Sequence, residues 1–405
     1  MKYGTNLNLI KMMIITIPFL PQTSFYQFFA CPLHTNASDQ HVLPLPHLKL
    51  RFSRALTRTT GTASPPSFDV SISYTMVYTA KKWIYARVFS GEPKLDDFRL
   101  EEEIMPEIEE GEFLARAEFL SVDPYMRIYI LPYPVGSVMI GGQIAQVLES
   151  RNPDFPVGAY VFGQFGWRTY SICNPVGIET RKPYVLPDFR SLPRSLGIGV
   201  LGTVGNSAYF GVQEICRPKP GETMVVSGAA GAVGSIVGQI GKIKGCSVIG
   251  LAGTDEKCAW LKEIGFDGAI NYRTADVRKE LKLAAPGGVD CYFDNVGGEI
   301  SAIVRRQMKM YGRIAVCGTI SMYNDKPVRV EDPQRDFVGR QLLQEGFSVH
   351  RWTDRWFEGI EQNLKWIQQG RLKFRETVTE GFEKMPLAFI EMMRGGNIGK
   401  AIVKV

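Results

Sequence analysis

An α/β fold with a doubly wound parallel sheet is predicted by three features of this 405-residue chain. The first is Glu222-Thr-Met-Val-Val-Ser-Gly-Ala-Ala-Gly231-Ala-Val-Gly234-Ser-Ile-Val-Gly238, a short apolar strand, a turn of small residues and a helix start. The second is the alternation of strand and helix patterns from there to Gln369, which is how a parallel sheet with helices on its faces is written. The third is a series of β-rich runs between Tyr78 and Phe165 separated by Gly- and Pro-bearing turns. It predicts a smaller all-β unit, barrel-like or sandwich-like.

Ala229-x-Gly231-x-x-Gly234 has the G-x-G-x-x-G spacing with Ala in first place. A small first residue permits the tight turn, Gly231 lets the backbone approach a pyrophosphate, and Gly234 and Gly238 let the helix lie close to the sheet. The first N–H groups of that helix have no intrahelical partner and would point at phosphate oxygens. Spacing alone fits a ligand-free glycine-rich turn as well. The next strand, Cys246-Ser-Val-Ile-Gly-Leu-Ala252, arrives within the ~30 residues of a βαβ unit.

A site preferring NAD would end this second strand with Asp or Glu, to hold the ribose 2′-hydroxyl. Here it ends Gly250-Leu-Ala-Gly253-Thr254. Asp255 and Glu256 follow Thr254, an N-cap type, and so fall in a helical first turn where acids suit the dipole. Lys257 suits a 2′-phosphate, which favours NADP over NAD; the alternative is a solvated helix lysine.

The β-rich runs are Tyr78 to Val88, Glu112 to Leu120, Gly141 to Leu148 and Tyr160 to Phe165. Pro183 to Pro193 reads as a connecting loop and Ser195 to Ile215 as partly helical. Strands are expected at Thr223 to Ser227, Ser247 to Leu251, Gly268 to Tyr272, Val289 to Asp294, Arg313 to Cys317 and Gly346 to Val349. Helices are expected at Val233 to Lys244, Glu256 to Ile264, Ala275 to Ala284, Ile300 to Met310 and Phe357 to Gln369. Glu376 to Val405 holds short strands and one helix that return to the β-rich unit.

Residues 1–75 read differently, with Asp39 and Asp69 as the only acids and frequent Ser, Thr and Pro. The apolar run Met12 to Leu20, behind Lys2 and Lys11, fits a signal-peptide core. A transit peptide and an untranslated extension ahead of a self-sufficient body starting at Met76 are the alternatives. Asn36-Ala-Ser38 is a glycosylation site only in a secreted chain.

A net charge of +6, thinly dispersed, argues against nucleic-acid and membrane-surface partners. No apolar run approaches the ~20 residues of a spanning helix. Seven cysteines without a C-x-x-C pair, Cys246, Cys291 and Cys317 among them in or beside buried strands, fit reduced thiols. His34, His41 and His47 lie in the extension, so His350 is the single histidine of the body. A multi-histidine zinc site cannot be built from it, and no metal is expected.

Four side chains could carry chemistry. Asp123-Pro124 favours a turn that throws Tyr125 outward at a strand end; the alternative is a packing tyrosine. Asn295 ends a buried strand, where ligands of doubly wound sheets bind, or else caps its own turn. Tyr323, in the loop after the next strand, offers a phenol to a carbonyl oxygen that becomes an enolate, unless it is a surface residue. His350 reads as a loop histidine rather than a base.

Separated strings then point one way: Val-Asp-Pro-Tyr-Met-Arg (122–127), Gly-Ala-Ala-Gly-Ala-Val-Gly (228–234), Asp-Glu-Lys (255–257) and Asn-Tyr (271–272). Tyr-Phe-Asp-Asn-Val-Gly-Gly (292–298), Cys-Gly-Thr-Ile-Ser-Met-Tyr-Asn (317–324) and Gly-Gly-Asn-Ile-Gly-Lys (395–400) complete the set. Together they resemble the prostaglandin reductases, zinc-independent medium-chain reductases that include the plant alkenal double-bond reductases. The resemblance covers residues 76–405.

It implies NADPH-dependent reduction of the carbon–carbon double bond of α,β-unsaturated ketones and aldehydes by a homodimer; a cytoplasmic location is expected, and turns on whether translation begins at Met1 or Met76. It also implies a Rossmann domain (195–375) inserted in a GroES-like β-barrel catalytic domain (76–194 and 376–405). Gly231, Ala232, Val233 and Gly234 would hold the pyrophosphate, Lys257 and Tyr272 the 2′-phosphate, and Asn295 the cofactor. Cys317, Gly318, Thr319, Ile320, Ser321, Tyr323, Phe347, Ser348, Val349 and Asn397 would complete that site. Tyr323 would orient the substrate carbonyl and Tyr125 line the pocket.

One departure stands out. Where the family pattern reads Leu-Gly-Thr-Val-Gly-Met-Pro-Gly-x-Thr-Ala-Tyr, this chain reads Leu201-Gly-Thr-Val-Gly205-Asn-Ser-Ala-Tyr209. About three residues are missing, Ser207 stands in for the threonine, and the segment must follow another path. The reading is an enone/enal reductase, with a quinone reductase and an NADPH-binding protein without turnover as alternatives.

Overall fold

The computed structural model describes residues 47–56, 68–179, 182–324 and 332–405. The run Met12 to Leu20, the Asn36 sequon, His34 and His41 lie outside them. The chain divides into two units, Met1–Tyr78 and Thr79–Val405. In the first, β1 (His47–Leu56) pairs antiparallel with β2 (Phe68–Val77), Leu50 opposite Tyr74 and Phe52 opposite Ile72. No element is predicted there from the sequence, yet Leu48, Leu50, Phe52 and Phe68, Val70, Ile72, Tyr74 alternate with other residues at period two. That is a strand pattern, hidden by the segment's odd composition.

In the second unit, β3 (Thr79–Tyr85) and β4 (Phe98–Ile104) form an antiparallel pair. β5 (Phe113–Ser121) leads through a turn into the single-turn α1 (Met126–Tyr129). β6 (Gln143–Ser150), β7 (Tyr160–Gly163), β8 (Tyr170–Cys173) and β9 (Tyr184–Val185) follow. β6 and β8 pair antiparallel with β5, β7 with β6, and β9 with β7. Residues 195–215 are helical in part, as expected, with α2 (Thr203–Phe210) running into a π-helical turn at Gly211–Cys216.

Strand and helix then alternate: β10 (Thr223–Ser227), α3 (Ala232–Ile243), β11 (Ser247–Ala252), α4 (Asp255–Glu263), β12 (Gly268–Asn271) and α5 (Val277–Ala284). β13 (Val289–Asp294), α6 (Gly298–Arg305), β14 (Met308–Val316), α7 (Gln334–Arg340), β15 (Leu343–Gly346) and α8 (Trp356–Gln368) complete the series. The six strands are parallel in the order β12-β11-β10-β13-β14-β15, the doubly wound arrangement whose order reverses beside the first strand. Met224 and Val226 of β10 enter one core and Val225 the other. Burial on both faces is why such strands read as continuous apolar runs.

β16 (Glu376–Glu380), α9 (Met385–Met393) and β17 (Lys400–Lys404) close the chain. β17 pairs antiparallel with β5 and parallel with β16. The parallel sheet is therefore an insertion between β9 and the last strands of the mixed sheet.

Two expected elements move. The helix expected to reach Met310 ends at Arg305, because Met308 pairs with Val289 and opens β14. Tyr311, at φ 64°, is also incompatible with a helix. A short apolar run does not reveal its period. The last parallel strand lies at Leu343–Gly346, not Gly346 to Val349. The apolar signal of Phe347 is core packing, its ring edge-on to Phe293 at 6.1 Å.

α3 lies on the sheet without room to spare. A Cβ on Gly238 would fall 1.9 Å from Cζ of Phe266, and one on Gly241 2.9 Å from Sδ of Met224. Gly238→Ala should therefore lower stability by about 1–3 kcal/mol through overpacking, outweighing the ~1 kcal/mol by which alanine favours a helix. Urea unfolding checks this, and an unchanged or raised midpoint would refute the close packing.

Candidate active site

A cavity of about 560 Å³ opens at the carboxyl ends of the parallel strands. All six strand ends contribute: Gly228 after β10, Gly253 after β11, Tyr272 after β12, Asn295 after β13, Cys317 after β14 and Phe347 after β15. The opposite wall comes from the mixed sheet, with Val122 to Tyr125, Gln164 and Ala401. Ligands of open α/β sheets bind at this end, and the size suits an organic ligand.

The glycine turn is shaped by its backbone. Gly228 has φ +57°, the Gly231 N–H donates to the Gly228 carbonyl at 3.0 Å, and Gly231 is the N-cap of α3 with no side-chain cap. A Cβ on Gly234 would lie 2.4 Å from the Gly228 oxygen, so only glycine lets the first helical turn sit against the loop. Ala232, Val233 and Gly234 line the cavity, where the first N–H groups of a helix offer themselves to an anion.

The β11–α4 junction builds a cationic corner in the same cavity. Thr254 caps α4 by accepting the Lys257 N–H at 3.2 Å, and Asp255 accepts from Asn271 Nδ2 at 2.8 Å. Asp255 is thus tied down as a helix-turn acid. Lys257 Nζ donates to the Gly395 carbonyl at 2.7 Å. A Cβ on Gly253 would lie 2.7 Å from Tyr272 Oη and 3.3 Å from Arg273 Nε. Lys257, Tyr272 and Arg273 all line the cavity at this corner, where the bare Gly253 leaves Tyr272 and Arg273 their space. Burial and then the neighbouring Arg273 lower the Lys257 pKa, so an anion placed in this corner would favour the charged ammonium. Sequence reasoning does not find Arg273, although it directly follows Asn271-Tyr272.

At the centre, buried Asp294 organises the β13 end. Its Oδ1 accepts from Ser227 Oγ, Tyr292 Oη and the N–H groups of Val296 and Gly297, at 2.8–3.0 Å. Asn295 Nδ2 donates to the Ser227 carbonyl at 2.7 Å, which ties β13 to β10 beneath the cavity. The turn is therefore capped by Asp294, and the Asn295 amide bonds across to the neighbouring strand instead of to its own turn.

Tyr323 lines the same cavity, and its oxygen accepts the Thr319 N–H at 3.4 Å. The phenolic proton is left to donate elsewhere. Burial pushes the phenol pKa up, opposed by the bond from Thr319. Tyr125 lies on the opposite wall, its ring 5.7 Å from that of Tyr129. Cys317 is held as a neutral thiol, its pKa pushed up to about 12 by burial and then by Asp294.

Of the residues expected at the site, Gly231, Ala232, Val233, Gly234, Lys257, Tyr272, Asn295, Cys317, Gly318, Ile320, Ser321, Tyr323, Phe347, Ser348, Val349, Asn397 and Tyr125 all line the cavity. Thr319 does not; it packs against Gly297, whose built Cβ would be 3.3 Å from it. The shortened 201–209 segment still delivers Thr203, Val204 and Ser207 to the wall, with Ser207 Oγ donating to the Thr203 carbonyl at 2.8 Å. His350 also reaches the cavity, its ring parallel to Trp356 at 5.9 Å. Asp123 is the one carboxylate among the described lining residues. No three His, Cys, Asp or Glu side chains cluster as a metal would need among the described residues.

The family described as "N-terminal domain of oxidoreductase" matches residues 81–180, and that described as "Zinc-binding dehydrogenase" matches residues 232–364. Prostaglandin reductase 1 of Bos taurus is 48% identical over 329 residues, 80% of this chain and 99% of that protein. The NADPH-dependent curcumin reductase of Escherichia coli (strain K12) is 37% identical over 339 residues, 80% of this chain and 96% of that protein. The crystal structure of CurA from Vibrio vulnificus in complex with NADPH superposes with a TM-score of 0.75 at 36% identity, covering 80% of this chain and 99% of that chain.

The cationic corner makes a selective prediction. Replacing Lys257 and Arg273 together by Met should weaken NADPH binding at least about tenfold, since a charge-assisted contact contributes about 1.5–3 kcal/mol. NADH binding, measured by calorimetry on the same protein, should change little. Equal loss for both cofactors would contradict the assignment.

Proposed function

From membership in the prostaglandin reductase family of medium-chain reductases, to which this chain belongs, we infer an NADPH-dependent reductase of the carbon–carbon double bond in α,β-unsaturated ketones and aldehydes. The single observation that carries the reading is the joint presence in one cavity of the glycine turn, the Lys257–Tyr272–Arg273 corner and the Tyr323 phenol. The residues fit NADPH: Ala232 to Gly234 offer the first helix N–H groups to the pyrophosphate, and the corner beside Gly253 is lined by the cationic Lys257 and Arg273. Gly318 lets the end of β14 lie close to the β13 turn, since a Cβ there would be 3.3 Å from the Asn295 carbonyl oxygen and 3.4 Å from Tyr323 Oη.

When bound, NADPH supplies the hydride that the β-carbon receives. Tyr323 acts at the other end of the conjugated system, donating its proton in a hydrogen bond to the carbonyl oxygen as charge builds there. The Thr319 N–H steadies that phenol from behind. Tyr125, Tyr129 and Val122 face the substrate and limit its orientations, which is where much of a reductase's advantage lies. The resulting enolate takes a proton at its α-carbon from water. Residues 76–194 and 376–405 form the catalytic domain in this reading and 195–375 the cofactor domain, supported by the pairing of β17 with β5. A cytoplasmic homodimer belongs to the same reading.

NADPH oxidation with a 2-alkenal, a 15-keto prostaglandin and a quinone tests it. Turnover is expected on the first two, and Tyr323→Phe should lose about 100-fold or more in kcat. Turnover confined to the quinone, or tight NADPH binding with no turnover, would overturn the reading.

A pH profile gives a second check. The burial of Tyr323 raises its pKa above the ordinary value of about 10. The donor form therefore persists through neutral pH and is lost only as pH rises through that raised value. kcat should stay level on the alkaline side to about pH 10, and a fall centred below about 9 would contradict Tyr323 as the donor.

A further inference from the structure

Lys400, on the last strand, is a buried ammonium that the reaction as described does not use. Its side chain is 5% exposed. Nζ lies 2.9 Å from Asp123 Oδ1 and donates to the carbonyls of Val122 and Ala401, each at 2.8 Å. Three donors thus meet three acceptors, the full capacity of an ammonium. Two of the acceptors belong to the Val122–Asp123 step that leads into Pro124 and Tyr125, and Asp123 also accepts from Ser121 Oγ.

The residue before Lys400 holds the other side of the cavity. The Gly399 N–H donates to the Ala230 carbonyl at 2.8 Å, and Gly399 bridges in parallel to Gly231. Two consecutive residues therefore grip two different walls: Gly399 the cofactor turn through its backbone, Lys400 the Tyr125 turn through its side chain. We propose that Lys400 is a positioning residue whose ammonium sets the Asp123-Pro124-Tyr125 turn at a fixed place relative to the cofactor cradle.

Stability alone does not explain this residue. A buried ion pair is seldom more stabilising than apolar residues filling the same volume, whereas three directed bonds define a geometry. Asp123 is also the one carboxylate of the described cavity lining, and the pairing neutralises it beside a polyanionic cofactor. Glu376 flanks the lysine stem, accepting from Ser195 Oγ at 2.9 Å. A Cβ on Gly199 would lie 3.7 Å from Lys400 Cγ and 3.9 Å from Glu376 Oε1. Burial lowers the Lys400 pKa, opposed first by Asp123 and then by Glu376, whose own pKa burial raises.

The inference rests on the proposed reduction only for its kinetic readout. Full-length Lys400→Met and the double variant Lys400→Met with Asp123→Asn, which removes the uncompensated acid, would be compared with the natural chain. In both, amide exchange over residues 121–130 should quicken about tenfold or more while residues 228–236 stay protected. kcat on an enone should fall about 10- to 100-fold, the range that a misplacement of about 1 Å produces. In the double variant, which leaves no uncompensated acid, the Kd of NADPH should change less than about threefold, well short of the tenfold that about 1.4 kcal/mol represents. The double variant should recover the thermal midpoint without recovering kcat. Unchanged exchange over 121–130 in Lys400→Met, or a double variant that regains kcat together with its midpoint, would overturn the proposal. Should Lys400→Met not fold, the double variant carries both readouts. Should the natural chain not turn over, the exchange result still decides the role of Lys400, and the enzymatic reading falls separately.

Discussion

The approach of α3 to the end of β10 is the constraint on which the rest depends. Gly234 sits where a Cβ would be 2.4 Å from the Gly228 oxygen, and Gly238 where one would be 1.9 Å from Phe266. The helix can come this close only because those positions are bare. Its uncapped N-terminus then opens into the cavity, with N–H groups that nothing in the helix satisfies. A site that leaves donors bare gains by binding phosphate oxygens, so the packing of one helix decides where the cavity offers such donors.

From there the chemistry is laid out by strand ends. β11 and β12 present Gly253, Lys257, Tyr272 and Arg273 on one side of the glycine turn. β13 and β14 present Asn295, Gly318 and Tyr323 on the other. Asp294, an acid at a strand end where ligands bind, is instead occupied by four donors inside the protein. Its task is to hold the β13 turn so that Asn295 and its neighbours stand at the cavity. The acid that does line the cavity, Asp123, is matched by Lys400. The described lining is thereby left cationic at the Lys257–Arg273 corner, its one carboxylate being paired.

Much of this is legible in the sequence, for physical reasons that differ by element. β10 and β13 begin and end where the sequence predicts, because strands buried on both faces are unbroken apolar runs between polar ends. The N-cap role of Thr254 and the placement of Asp255 and Glu256 behind it follow from helix-end chemistry alone. Tyr125, Asn295 and Tyr323 each carry a bland alternative on local sequence; the structure brings all three to one cavity. What is not legible depends on distance in the chain. Arg273 joins Lys257 only because two βα junctions abut, and Lys400 meets Asp123 from the far end of the body. The β1–β2 hairpin shows its alternation, but the unusual composition around it masks the signal. At Phe347 and Met308 an apolar residue signals burial without saying in which element.

The central claim is that this cavity delivers hydride to the β-carbon of a conjugated carbonyl compound while Tyr323 supports the oxygen. The most direct measurement is the product of an enone reduced with deuterium-labelled NADPH, analysed by NMR. Deuterium at the β-carbon of a saturated ketone is the result this account predicts. Deuterium on the carbonyl carbon of an allylic alcohol, or no transfer to carbon at all, would contradict it.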